Sequence, residues 1–81
     1  TVELERVTAT DGRGLRPGRA KVRLRAHGAE TGCRIVPLAE RDRVRLELDE
    51  AVDAVAPGQA GVLYDGDLVL GGGTVATTGP M

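Results

Sequence analysis

Aromatic side chains are almost absent from this 81-residue sequence: there is no Trp and no Phe, and Tyr64 stands alone. Any core must therefore be built from Val, Leu, Ile and Ala, and the β-branched members of that set favour strands. Serine is missing altogether, which excludes a serine nucleophile. The one cysteine, Cys33, cannot staple the domain internally. It reads as a small buried hydrophobe rather than a reactive thiol, because its only cationic neighbour, Arg34, points to the other face of the strand. His27 is the only histidine and lies in a glycine-rich turn. One His and one Cys from different segments do not make a zinc site, so no metal is expected. No apolar run approaches the roughly 20 residues of a membrane helix. No apolar segment follows a basic start in the manner of a signal peptide, and a cytoplasmic location is the expectation.

Basic residues are absent after Arg45. All eleven lie between Arg6 and Arg45, a span with four acids (Asp11, Glu30, Glu40, Asp42), whereas six acids and no base follow from Leu46 onward. Ten of the eleven are Arg, which suits bidentate contacts to phosphate or carboxylate and is equally accounted for by a GC-rich coding sequence. The asymmetry makes a surface patch only if the fold keeps the halves apart, and strands of a barrel can alternate between them.

Eighty-one residues make a single domain, and one this short buries roughly 60–65% of the surface its unfolded chain exposes. The first residues already read as a strand and carry no initiator Met, so 1–81 is expected to be one domain of a longer protein. Strands are expected at Val2–Thr8, Ala20–Arg25, Cys33–Leu38, Arg43–Leu48, Ala60–Tyr64 and Asp67–Val75, separated by polar turns. The stretch 39–56 has a helical alternative through Val44, Leu48, Val52 and Val55; unbroken alternation favours a strand for 43–48, and 50–55 stays open between strand, turn and helix. Pro57-Gly58 opens a turn, and Asp65-Gly66 between two apolar runs predicts a type I′ hairpin. Gly61 inside a strand suggests a bulge or barrel corner. Six short strands without a confident helix predict an all-β fold: a small closed or partly open antiparallel barrel.

No catalytic constellation is present, so the chain alone is not expected to be an enzyme or to hold a cofactor. Gly71-Gly72-Gly73-Thr74 lacks the Lys and the helix of a phosphate loop and reads as a close backbone approach. Asp65 and Asp67 flank a turn and make a poor calcium loop. The strand Lys21-Val22-Arg23-Leu24-Arg25 is the strongest functional candidate. It sets Lys21, Arg23 and Arg25 on one face with Cα atoms roughly 6.5–7 Å apart, near the phosphate spacing of one nucleic-acid strand. A merely solvated strand face is the alternative. Arg43 and Arg45 would join that surface if their strand were a neighbour. With so little aromatic material, backbone and shape contacts to folded RNA fit better than base stacking along a single strand.

Several segments resemble the C-terminal β-barrel domain of bacterial tRNA-specific 2-thiouridylases (tRNA-uridine 2-sulfurtransferases, sometimes described as tRNA methyltransferases). They are Ala20-Lys21-Val22-Arg23-Leu24-Arg25, the run Asp42–Glu50, Val55-Ala56-Pro57-Gly58-Gln59-Ala60, Leu63-Tyr64-Asp65-Gly66-Asp67 and Val69-Leu70-Gly71-Gly72-Gly73. Order and spacing agree over about residues 20–75; 1–19 match loosely, and 76–81 reads as a variable tail. The resemblance implies a parent enzyme that uses ATP to activate a wobble uridine at C2 and takes sulfur from a donor protein. That chemistry would reside in a catalytic domain whose ATP loop and reactive cysteines are not in this sequence. It implies that the barrel contacts tRNA through the positions occupied here by Arg23, Leu24 and Gln59. Leu24 stands where the family usually has Tyr, which removes any stacking or hydroxyl contact there, and Leu63 replaces a frequent aromatic. The alternative is a structural barrel that braces the catalytic domain without touching RNA.

Overall fold

The computed structural model describes residues 1–24, 30–40, 42–50 and 56–78. They form six strands: β1 (Val2–Ala9), β2 (Gly18–Leu24), β3 (Glu30–Pro37), β4 (Val44–Leu48), β5 (Ala60–Asp65) and β6 (Leu68–Thr78). Every pairing is antiparallel. The sheet closes on itself in the order β1-β4-β3-β2-β5-β6, the all-β closed barrel that the spacing of the strands predicts. Arg25, His27 and residues 51–55 lie outside the described residues.

Alternation sorts each strand between core and surface. The core is filled by Val2 and Leu4 of β1, Val22 and Leu24 of β2, Cys33 and Ile35 of β3, Val44 and Leu46 of β4, Leu63 of β5 and Val75 of β6. It contains no aromatic ring: Tyr64 falls on the opposite parity from Leu63 and stays half-buried on the outside.

β6 is the longest strand and the seam of the barrel, since it pairs with both β5 and β1. Its glycine run lies where those neighbours press closest. A Cβ on Gly72 would stand 2.5 Å from the Gly61 carbonyl oxygen, and one on Gly73 would meet the Glu5 carbonyl oxygen at 2.7 Å and Val7 Cγ2 at 2.9 Å. Close backbone approach is therefore what Gly71-Gly72-Gly73 provides. The register slips between Glu3 and Leu4 and between Glu5 and Thr8 on the β1 side, and between Leu63 and Tyr64 on the β5 side. Such bulges sharpen the local coil and help so short a sheet close.

Four local expectations are corrected. β3 begins at Glu30, inside the segment expected to be a turn, and β6 runs on to Thr78 because Thr77 and Thr78 pair with Glu3 and Val2. The β5–β6 hairpin pairs Asp65 with Leu68, so Gly66 and Asp67 form its loop. Gly66 has φ +59°, while among the described residues Arg6 is the only non-glycine with positive φ. That is the pattern of a type II′ turn, which confines positive φ to one glycine; the type I′ turn over Asp65-Gly66 would have forced it on Asp65 as well. Gly61 is not a bulge: a Cβ there would meet Leu24 Cδ2 and Leu4 Cδ2, both at 3.3 Å, so its bareness makes room for the core leucines.

Candidate nucleic-acid interface

β2 carries the cationic row. Ala20, Val22 and Leu24 turn inward, and this leaves Arg19, Lys21 and Arg23 exposed on the outer face. Leu24, at a position that the resemblance gives to tRNA contact, is only 2% exposed and packs its side chain in the core. The same alternation that presents Arg23 hides Leu24. Arg25, the last member of the expected row, lies outside the described residues.

The three described cations are not equivalent. Arg19 forks onto Asp49, with Nη1 donating to Oδ1 at 2.8 Å and Nη2 donating to Oδ2. Asp49 crosses β3 to reach it, over Gly32, where a Cβ would collide with the Asp49 carboxylate. The hydrogen bond from Arg19 lowers the Asp49 pKa below the usual carboxylate range and raises that of Arg19. Arg23 faces Glu30 directly across the β2–β3 ladder, and its Nη2 lies 3.4 Å from Glu30 Oε2, longer than the usual charge-assisted bond of about 2.7–2.9 Å. On its other side the Arg23 guanidinium lies over the Tyr64 ring, 5.6 Å from the centroid. Lys21, opposite Gly32 on β3 and Tyr64 on β5, makes no ion pair among the described residues.

Arg43 and Arg45 do not extend this row. β4 is separated from β2 by β3, and Arg43, just before β4, and Arg45, on it, turn to the acids of β1: Arg43 approaches Glu3 at 3.2 Å and Glu5 at 3.8 Å, and Arg45 approaches Glu3 at 3.7 Å. The residue that sequence reasoning passed over is Arg34. It is exposed, stands opposite Arg19 on β2, and makes no ion pair among the described residues. The signal was its parity against buried Cys33 and Ile35.

Gln59 is placed by the Pro57-Gly58 turn. Gly58 has φ +93°, and the Gln59 N–H donates to the Ala56 carbonyl at 3.3 Å. The side chain closes the same turn, with its Oε1 accepting the Ala56 N–H at 3.2 Å. Gln59 immediately precedes β5, and the β2–β5 register sets Leu24 against Gly61 and Arg23 against Val62. Gln59, just before β5, and Arg23, near the end of β2, therefore lie towards the same end of the barrel.

At the opposite end Leu15, Leu68 and Leu70, flanked by Asp11, Arg16 and Arg19, line a hollow of about 280 Å³ between the loop at 10–17 and the β5–β6 hairpin. Leu68, in that lining, is 63% exposed, and Val69, paired with Tyr64 and outside the lining, is 40% exposed. Between the two ends, Cys33 is sealed in the core, and burial pushes its thiol pKa up to about 11. Among the described residues no group of three or more His, Cys, Asp or Glu is arranged to hold a metal ion, and no helix is long and apolar enough to cross a membrane.

A closed six-stranded barrel with this glycine seam defines a class, and the chain belongs to the aminomethyltransferase beta-barrel domain family, which matches residues 5–75. That span takes in most of β1, beyond the 20–75 on which the resemblance was drawn. Within the class its relatives are tRNA-specific 2-thiouridylases. The tRNA-specific 2-thiouridylase MnmA of Solibacter usitatus is 49% identical over 65 residues, covering 76% of this chain and 18% of that protein. MnmA 1 of Syntrophus aciditrophicus is 52% identical over 60 residues, covering 74% and 16%. MnmA of Moorella thermoacetica is 50% identical over 64 residues, covering 76% and 18%. The chain thus spans under a fifth of the length of these relatives. No solved structure matches it.

Proposed function

We propose that this chain is the non-catalytic, tRNA-contacting C-terminal domain of a tRNA-uridine 2-sulfurtransferase. Residues 1–81 would form one barrel domain of the longer, cytoplasmic enzyme. The reaction on the wobble uridine, with its ATP and its sulfur-donor protein, belongs to a catalytic domain of the same polypeptide. The observation that carries this reading is the outer face of β2, where Lys21 and Arg23 stand exposed on a sheet whose relatives are tRNA-modifying proteins. Both cations are available to phosphate: Lys21 has no carboxylate partner among the described residues, and the exposed Arg23–Glu30 pair, worth about 1 kcal/mol or less, yields readily. Arg25 follows them in sequence and is assigned to the same contact. Gln59, whose oxygen is held by its own turn, contributes amide N–H donors to sugar or phosphate. Leu24 supports the row only from the core.

Titration of a tRNA transcript into the 81-residue chain across a range of salt concentrations tests this. Each phosphate contact adds about −0.9 to the slope of log K against log salt. Arg23→Ala and Lys21→Ala should each weaken binding and flatten that slope by about one. Unchanged binding in both variants, or no binding by the wild-type chain, contradicts the reading.

A second reading rests on the other end of the barrel. Exposed Leu68, at the rim of a hollow lined also by Leu15 and Leu70, is the kind of surface that packs against another domain, and there the barrel would brace the catalytic domain without RNA contact.

A further inference from the structure

Tyr64 is the single aromatic of the chain, and the core does not use it. It lies on the outer side of β5, half-buried, directly opposite Lys21 and diagonal to Arg23 across the β2–β5 ladder. A diagonal cross-strand neighbour is within reach of a long side chain, and the Arg23 guanidinium takes that path to lie 5.6 Å from the ring centroid. The ring face attracts a cation at that range. Because Tyr64 pairs with Lys21, the contact reaches back along β2 towards Lys21, while the same guanidinium keeps its Nη2 3.4 Å from Oε2 of Glu30, which stands opposite Arg23 on β3.

We propose that Tyr64 is a positioning residue for RNA. It holds the Arg23 guanidinium against the sheet beside Lys21, so that the two cations converge on one phosphodiester of the tRNA backbone. This deepens the proposed function and rests on it. The guanidinium keeps its outward N–H groups for phosphate oxygens while one face is occupied by the ring. Glu30 acts in the opposite sense, as the carboxylate that phosphate must displace. The phenol hydroxyl has no part in this arrangement; the ring alone is required.

The 81-residue chain and its Tyr64→Phe, Tyr64→Val and Glu30→Gln variants are titrated with a fluorescent tRNA transcript at low salt, after thermal melts confirm that each is folded. Tyr64→Phe should bind within twofold of wild type, Tyr64→Val about fivefold more weakly, and Glu30→Gln more tightly. In an Arg23→Ala background, Tyr64→Val should cause no further loss, because its effect passes through Arg23. Arg23 side-chain protons should be shifted upfield by the ring in wild type and Tyr64→Phe, and should return to ordinary positions in Tyr64→Val. Arg23→Ala losing affinity while Tyr64→Val keeps it overturns the positioning role and leaves the RNA reading standing. A Tyr64→Val loss that persists undiminished in the Arg23→Ala background also overturns it. No binding by the wild-type chain overturns the RNA reading and this proposal together.

Discussion

Arg19 is gripped in a fork by Asp49, Arg23 meets Glu30 at 3.4 Å, and Lys21 between them has no carboxylate partner among the described residues. Equal spacing along a strand therefore does not give equal charge to a ligand. The difference comes from residues distant in sequence: Gly32 opens the way for Asp49, and Tyr64 competes with Glu30 for Arg23. Parity along β2 was legible in the sequence and separated Lys21 and Arg23 from buried Leu24; the pairing of each cation was not, because it depends on which strands become neighbours. Cys33 behaves as its apolar strand suggested. Burial raises its thiol from an ordinary 9.0 to about 11, so the folded chain keeps the proton through a pH window in which the unfolded chain loses it. This contribution to stability is fully present below pH 9 and is lost as pH rises towards 11. A thiol-specific reagent at pH 8 should label Cys33 at least a hundredfold more slowly in the native chain than in urea. Comparable rates would show that the barrel opens readily around β3.

At the scale of elements, the strands followed from alternation, and their ends followed from partners. β3 starts early because Glu30 and Thr31 have β2 beside them, and β6 runs late because β1 needs an edge to close on. Neither fact is local, so neither could be read from turn chemistry. The hairpin turn lies one residue later than the Asp65-Gly66 pair predicts, for a similar reason. An Asp-Gly pair fits a type I′ loop by itself, but here the β5–β6 register sets Asp65 against Leu68 and leaves Gly66 to open the loop. The glycine run of β6 was read correctly as a place of close approach, and the structure supplies the obstacles. At Gly72 the obstacle is a backbone carbonyl, which cannot rotate away as a side chain can. Gly72→Ala should therefore destabilise the chain by more than about 1 kcal/mol, in spite of the smaller unfolded-state entropy of Ala. Urea denaturation measures this, and an unchanged or higher midpoint would show that β5 and β6 can separate without cost.

Across the whole molecule, the basic and acidic halves of the sequence interleave: β1 to β4 form one part of the wall and β5 and β6 the other, but Glu47 on β4 and Asp49 just after it belong to the acidic half and lie in the basic part. The basic excess of that wall is nonetheless trimmed by its own acids, with Glu3 and Glu5 holding Arg43 and Arg45, and Asp49 holding Arg19. On β2 and the adjacent β3, the exposed cations outside the Asp49 fork are Lys21, Arg23 and Arg34, with Gln59 at the rim nearest Arg23. The apolar hollow lies at the far end of the same strands. The Arg23–Gln59 rim and the Leu68 hollow thus lie towards opposite ends of β2 and β5, with Lys21 between them, which makes the proposed RNA contact and the proposed bracing contact separable. The most direct test is to follow backbone amide resonances of the 81-residue chain while a tRNA transcript is added at low salt. Shifts gathered on Lys21, Arg23, Arg34 and the Gln59 turn, fading as salt is raised, are the predicted result. Shifts centred on Leu15, Leu68 and Leu70, or none anywhere, would contradict it.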